Sequence, residues 1–276
     1  MKDFFFDLDG TLLGKSRVMH PASVRALNSL HERGCRLFIC SGRSPAFLKE
    51  LLPQIPFDGF VGCAGGAIVI NGKTVYENDL DRKLVSRILR AFDDAGAAYS
   101  IENSEGTWMN EAMRISFKKR SEERIRLSPS LREPLLREAA SPSWKLLSDF
   151  DAVHSRIPKI SFTAPSSVAE KLFPELEEYF HIVVFGHNGS MLSAELDSRS
   201  FTKADGMRFV LDWFGGQLSE TAAFGDSMND LQMIEAAGLG VVSELSPPEL
   251  LSKTPYTFAD PDRGGIAAAL QTLRLI

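Results

Sequence analysis

Short apolar runs, each ended by a small or polar cluster, alternate along this chain with longer segments whose apolar residues return every three or four positions. The first kind predicts strands and the second amphipathic helices. Phe4-Phe5-Phe6 makes residues 3–6 a strand. Pro21 then opens a helix with Val24, Leu27 and Leu30 on one face, and Gly34 stops it. Residues 35–40 (CRLFIC) form a second strand, apolar on both faces as in a parallel sheet covered by helices. A helix from 45 to about 52 and a strand over 57–61 follow. Strands at 67–70 and 73–76 flank Asn71-Gly72, the pair favoured in a tight type I′ hairpin turn.

From residue 78 the texture changes. A helix is predicted over 82–95 (Val85, Ile88, Leu89, Phe92), then strands over 99–102 and 107–110. A charged, proline-punctuated stretch from 113 to 157 carries no clear periodicity. Strand, helix and strand follow over 159–163, 166–179 and 182–185, and 190–195 pairs back across Gly186-His187-Asn188-Gly189. The middle reads as an α+β insert. After residue 200 the strand-loop-helix pattern returns, with a helix over 203–214 (Met207, Val210, Leu211, Phe214) and a strand over 221–224. A helix over 229–237, short strands at 240–242 and 256–258 and a helix over 264–273 close the chain. The expected fold is α/β: a doubly wound parallel-sheet (Rossmann-like) core, residues 1–77 and 190–276, interrupted by a cap over 78–189.

Composition narrows function more than fold. The 276 residues are 44% hydrophobic and 24% charged, enough to bury a real core in one or two domains. A formal net charge of −5 gives no electrostatic reason to expect nucleic acid. The nearest basic run, Lys118-Lys119-Arg120, is followed by Glu122 and Glu123 and reads as a solvated helix face. Cys35, Cys40 and Cys63 are odd in number, lack a C-x-x-C pair and predict reduced, buried thiols. Met1-Lys2-Asp3 runs directly into a strand, so no signal peptide is expected, and no stretch is apolar for long enough to span a membrane. A cytoplasmic monomer or homodimer is expected, with neither nucleic acid nor membrane as partner.

The chemistry gathers at strand ends. In an open parallel sheet, ligands bind beyond the carboxyl ends of the strands, and four polar clusters fall at or near that edge. Asp7 and Asp9 follow the first strand; as positions i and i+2 of an extended segment, both can face one pocket. Two unscreened carboxylates so placed repel and raise a pKa, a cost that makes sense if a divalent cation lies between them, if one carries a proton for catalysis, or both. One could serve as nucleophile and the other as acid and base. Ser41-Gly42-Arg43 follows the second strand, and Lys203 begins a helix after the insert. Gly225-Asp226-Ser227-Met228-Asn229-Asp230 follows the strand at 221–224. A hydroxyl, a lysine, glycine-freed amides and several carboxylates describe a site for phosphate and magnesium. Each cluster alone has a plainer reading: Asp7 and Asp9 as turn residues, Ser41 as a helix cap, Lys203 as a surface lysine, Asp230 as a first-turn residue.

In this order the clusters resemble those of the haloacid dehalogenase superfamily of phosphohydrolases, and the insert resembles the larger (C2, or IIB) cap of its Cof-type subgroup. The resemblance implies that Asp7 attacks phosphorus to form an aspartyl-phosphate. Asp9 would protonate the leaving oxygen and then activate water, its backbone carbonyl serving as a metal ligand. Ser41 would hydrogen-bond the transferring group, and Lys203 would neutralise it and keep Asp7 ionised. Asp226 would bind Mg2+, with Asn229 and Asp230 completing or orienting its shell. Gly10, Gly42, Arg43 and Asn229 are the implied phosphate and substrate contacts. The implied activity is magnesium-dependent hydrolysis of a small phosphorylated metabolite, for example a sugar phosphate. The same nucleophile would serve a phosphotransferase or sugar phosphomutase, and a phospholigand-binding regulatory protein without turnover is the reading outside enzymology. Two positions depart from the pattern: Gly65, where relatives commonly carry an asparagine near substrate, and Ser243-Glu244, where they show an asparagine-containing loop. Trp108, Trp144 and Trp213 are expected to pack rather than to line a ligand cage.

Overall fold

Phe4, Phe5 and Phe6 are all within 1% of complete burial, so their strand must lie inside a sheet covered on both faces. The computed structural model describes every residue except Pro53, and only the backbone of Lys49. The chain runs through β1 (Asp3–Phe6), α1 (Pro21–Glu32), β2 (Arg36–Cys40), α2 (Pro45–Leu51), β3 (Gly59–Gly62) and the hairpin β4 (Ala67–Ile70) and β5 (Lys73–Glu77). The insert then adds α3 (Arg82–Asp94), β6 (Ala98–Asn103), β7 (Gly106–Met109), α4 (Glu111–Leu127), α5 (Arg132–Ala139) and β8 (Trp144–Leu146). It continues with β9 (Lys159–Pro165), α6 (Ser166–Tyr179), β10 (Phe180–His187) and β11 (Met191–Ser198). The last segment is α7 (Lys203–Phe214), β12 (Thr221–Gly225), α8 (Leu231–Ala236), β13 (Leu239–Ser243), α9 (Pro248–Leu251), β14 (Thr257–Phe258) and α10 (Gly265–Thr272).

The first sheet has the order β14-β13-β12-β1-β2-β3-β4-β5, parallel from β14 to β3 and antiparallel through the hairpin. From β1 the chain builds toward β2 and β3 on one side, and after the insert toward β12 and β13 on the other. Strand order therefore reverses between β1 and β12, where open α/β sheets take their ligands. Side-chain alternation divides the phenylalanines. Phe4 and Phe6 pack with Leu37, Ile39 and Phe224 against α1 and α10, and Phe5 packs with Phe38, Ala223 and Val242 against α7 and α8. Each such burial is worth roughly 1.5–3 kcal/mol.

The insert forms its own sheet, β10-β11-β9-β6-β7-β8, in which alternation gives two unlike faces. Tyr99, Ile101, Ile160, Phe162, Ala194 and Leu196 share one core with α3 and α6. Ser100, Glu102, Lys159, Ser161, Glu195 and Asp197 hold the intervening positions of three adjacent strands and share the other face. Because β11 pairs with both β9 and β10, a boundary between 189 and 190 would split that hairpin. We place the end of the cap after Ser198. Cys40 and Cys63 are buried as expected, whereas Cys35, just outside β2, is only half-buried. No helix among the described residues is long and apolar enough to cross a membrane.

Gly65 has a structural reason for being glycine. Its φ is +109°, and a Cβ there would lie 2.3 Å from the carbonyl oxygen of Thr202. Gly65→Ala is therefore expected to cost about 1–3 kcal/mol, seen as a lower urea midpoint with an unchanged m-value. A midpoint equal to the parent's would show that this close backbone approach is dispensable.

Candidate active site

β1 hands over to Asp7, whose backbone N–H donates to the Phe224 carbonyl of β12 (2.8 Å). Thr202 caps α7: its hydroxyl accepts from the Asp205 N–H (3.4 Å), and its own N–H donates to the Asp205 carboxylate (2.9 Å). That box fixes the first turn of the helix and with it Lys203. The Lys203 ammonium donates to Asp7 Oδ1 (2.6 Å), Asp230 Oδ1 (2.6 Å) and Asn229 Oδ1 (3.1 Å). Asp230 is fully engaged, since its Oδ2 also accepts from the N–H groups of Asp226 (3.0 Å) and Ser227 (3.1 Å). It is a first-turn capping residue as well as a partner of the lysine. Among the described residues the only side-chain hydrogen bond of Asp226 comes from the Thr11 hydroxyl (3.3 Å). Gly10 makes room for it: with φ at +97°, a Cβ there would sit 2.2 Å from Asp226 Oδ2.

An oxygen of Asp7, one of Asp226 and one of Asp230 lie within 4.8 Å of one another. Burial pushes the Asp7 carboxyl well above its ordinary value; Asp230 and Asp226 push the same way, and Lys203 opposes them. Burial and then Asp230 raise Asp226 to about 6, against Lys203 and the Thr11 hydrogen bond. Lys203 itself stays charged, because Asp230 and Asp7 outweigh the burial that would neutralise it. Three carboxylates thus face one ammonium. An oxygen-seeking divalent cation would offset the excess, and the donor set is the all-oxygen kind that such ions take. Asp7 and Asp226 have oxygens to offer it; Asp230 has already committed both of its own.

Asp9 faces the same cleft as Asp7 but belongs to a different charge cluster. Its carboxylate accepts from Arg43 Nε (2.6 Å) and Nη2 (3.0 Å), and Arg17 lies 3.7 Å away. Burial works against its ionisation, yet Arg43 and then Arg17 prevail and hold the carboxyl below its ordinary value. The repulsion expected between Asp7 and Asp9 is therefore not what raises Asp7; Asp230 and Asp226 supply it. Position i+2 fixes the side of a strand, not the partner.

The site opens into a cleft of about 630 Å³ shared by the core and the insert. Ser41, buried, lines it and accepts from the Arg43 N–H (3.3 Å). Gly42 lines it too, and its carbonyl accepts from the buried ammonium of Lys159 (2.7 Å), which also pairs with Glu195 (2.8 Å). Glu138 of α5 takes both Arg17 (2.6 Å) and Arg43 (2.9 Å). Asn229 lines the cleft beside Lys203, so the expected residues either line one cleft or touch the Lys203 group beneath it, in two charge clusters. Gly10 is the exception in kind: it touches Asp226 rather than the cleft.

Sequence reasoning missed Arg17, Lys159, Glu138, Phe117 and Trp144, all of which line the cleft. For Lys159 a signal existed, because K-I-S-F-T alternates polar and apolar residues like a strand with one wet face. For Glu138 there was none, since its stretch lacks periodicity. Of the three tryptophans, Trp108 packs as expected against Phe150, and Trp144 packs beside Met109 and Met113 while also facing the cleft. Trp213 is 55% exposed. Glu244 is exposed and, like Gly65, is not part of the cleft wall, so neither departure alters it.

Residues 4–270 match the family model described as haloacid dehalogenase-like hydrolase. The chain is 26% identical to the HMP-PP phosphatase of Cronobacter sakazakii, over 91% of this chain and 87% of that one. It is 23% identical to phosphatase YwpJ of Bacillus subtilis, over 99% and 100%. Among solved structures it is similar to a protein of Geobacillus kaustophilus HTA426, with a TM-score of 0.81, 22% identity and coverage of 100% and 99%. A sugar phosphatase of HAD subclass IIB aligns over the whole of both chains, with a TM-score of 0.75 and 20% identity.

The raised Asp226 carboxyl has a measurable sign. Titrating at about 6 when folded against 3.8 ordinarily, it binds its proton more tightly in the folded chain. Its stabilisation is complete below the unfolded value and is lost as pH rises through the folded one. The metal-free protein should lose this contribution between about pH 4 and 6. Asp226→Asn should not, and should be the more stable of the two at pH 7 by about 1–2 kcal/mol. Urea midpoints of both proteins in chelator across that range provide the test, and parallel curves would refute it.

Proposed function

Since the chain belongs to the haloacid dehalogenase-like hydrolases, we propose that it is a magnesium-dependent phosphomonoester hydrolase acting on a small phosphorylated metabolite through an aspartyl-phosphate. The observation that carries this reading is Asp7, held by Lys203 beside Asp226 where strand order reverses, and facing the cleft. The phosphatase names of the relatives support it, one for HMP-PP and one fold neighbour for sugar phosphates. A cleft of about 630 Å³ also has room for such a molecule.

Phosphoryl transfer depends mostly on positioning and charge neutralisation around the transferring group. In the first step an Asp7 oxygen attacks phosphorus, the bond to the leaving oxygen breaks, and Asp9 gives that oxygen a proton. In the second, water attacks the same phosphorus, Asp9 takes its proton, and the Asp7–phosphorus bond breaks to release inorganic phosphate. Lys203 and the Ser41 hydroxyl hold the equatorial oxygens. Asp7, Asp226 and the backbone carbonyl of Asp9 would hold magnesium, with Asp230 and Asn229 orienting Lys203 beside it. The ion would supply positive charge to the phosphoryl oxygens and return Asp7 toward its ordinary acidity. Paired with Arg43, Asp9 is in the basic form that the second step uses. The first step needs a proton on it, so that pair loosens when substrate enters.

Asp7→Asn keeps the side-chain shape and should fold, yet lower phosphate release by about 10³-fold or more. EDTA should abolish release in the parent and magnesium restore it, measured over a panel of sugar phosphates and p-nitrophenyl phosphate. Substantial release by Asp7→Asn would sink the nucleophile assignment. Hexose phosphate isomers formed without free phosphate would make the protein a phosphomutase, and tight binding without turnover a phospholigand-binding protein.

A further inference from the structure

Met113, Phe117, Arg120 and Arg124 line the cleft from a single stripe of α4, which changes from apolar to basic along the helix. The stripe continues a row of rings. The Arg43 guanidinium lies 4.7 Å over the Phe47 ring. Phe47 stands 5.3 Å from Trp144, and Trp144 stands 5.1 Å from Phe117. Trp144 is fixed by a hydrogen bond from Nε1 to the Glu138 carbonyl (2.6 Å). A path from Asp9 therefore crosses Arg43 and three rings in contact, and ends one helical turn before Arg120.

The other cations of the cleft are already matched to acids. Arg17 and Arg43 share Asp9 and Glu138, and Lys159 has Glu195. Elsewhere on α4, Arg114, Lys118 and Arg126 pair with Glu111, Glu122 and Glu123. Arg120 and Arg124 are in no ion pair among the described residues, and the hydrogen bond that Arg120 makes is to the Met113 sulfur (3.7 Å). Burial pulls Arg120 below its ordinary value with no acid opposing it. Two unmatched guanidinium groups on a cleft wall, at the end of an aromatic row, are arranged for an anion that the protein does not supply.

We propose that Arg120 and Arg124 form a subsite for a second anionic group of the substrate, a carboxylate or phosphate lying beyond a planar ring that rests on Trp144 and Phe117. The substrate class is an aryl or heteroaryl phosphomonoester carrying a further negative charge. This rests on the phosphatase reading of the Asp7 site. The test compares 2-naphthyl phosphate with its 6-carboxylate by phosphate release in magnesium. In the parent, kcat/KM should favour the carboxylate by roughly fivefold, the upper range for an exposed ion pair. Arg120→Ala with Arg124→Ala should bring that ratio to about one, whereas Arg120→Lys with Arg124→Lys should keep most of it. Trp144→Leu should lower kcat/KM for both naphthyl probes relative to glucose 6-phosphate. Equal efficiency on the two probes in the parent, or a ratio that survives the alanine pair, overturns the subsite alone. Release from neither probe while sugar phosphates are cleaved also overturns the subsite alone, and release from no member of the panel, sugar phosphates included, overturns the phosphatase reading and the subsite with it.

Discussion

The Lys203 ammonium stands 2.6 Å from Asp7 and 2.6 Å from Asp230, with all three side chains nearly or fully buried. Removing one partner of such a group typically costs 3–5 kcal/mol, because it strands a charge away from water. Asp7 and Lys203 are 196 positions apart, so the chain must bring its first strand and the helix after the insert to one point. Much of the core serves that meeting. β12 lies beside β1 and delivers Asp226 and Asp230, the Thr202 cap fixes the turn that carries Lys203, and Gly65 lets the backbone before the insert press against Thr202. The ion pair is thus a closure constraint on the insert as well as part of a candidate site. Any cap can occupy the gap, provided that its two ends return to the same place.

That constraint explains why the core half of the site was legible from sequence and the cap half was not. Asp7, Ser41 and Asp226 each end an apolar run, and a strand's end is a local property of the sequence. The helices Ser166–Tyr179 and Lys203–Phe214 have the bounds that their periodicity predicts. The helix α4 is the opposite case. It is 17 residues long and buries only Met113, because the face with function looks into a cleft and not a core. With no apolar stripe its periodicity vanishes, and Lys118-Lys119-Arg120 reads as a solvated face, which all three are, while nothing local shows that Arg120 also lines the cleft. Trp213 fails for the complementary reason. Helical spacing identified its helix, but that spacing describes a stripe about 100° wide, and Trp213 lies beyond its edge. The partner of Asp9 was hidden differently: Arg43 follows another strand, and only the register of β1 on β2 brings the two together.

The cap shows the same division between what folding needs and what a ligand needs. One face of its sheet is apolar and covered by α3 and α6, which suffices to hold it together. The opposite face buries Lys159 with Glu195, Glu102 and Asp197 nearby, and Asp197 Oδ1 has no hydrogen-bond partner among the described residues. Burial, Glu195 and Glu102 hold the Asp197 carboxyl up at about 7 against Lys159. Replacing buried ions by apolar side chains of similar volume is often neutral or stabilising, so stability does not account for this face. Its position does. It looks into the cleft, and its contacts with the core are polar: Lys159 on the Gly42 carbonyl, and nearby Glu138 on Arg17 and Arg43. Water could replace each of these were the cap to lift, at a net cost of about 1 kcal/mol per hydrogen bond and somewhat more for charged pairs. An interface of leucines would have no such substitute and would resist opening. A cap that must admit one molecule and release another therefore keeps its apolar face for its own helices and turns its polar face to the core.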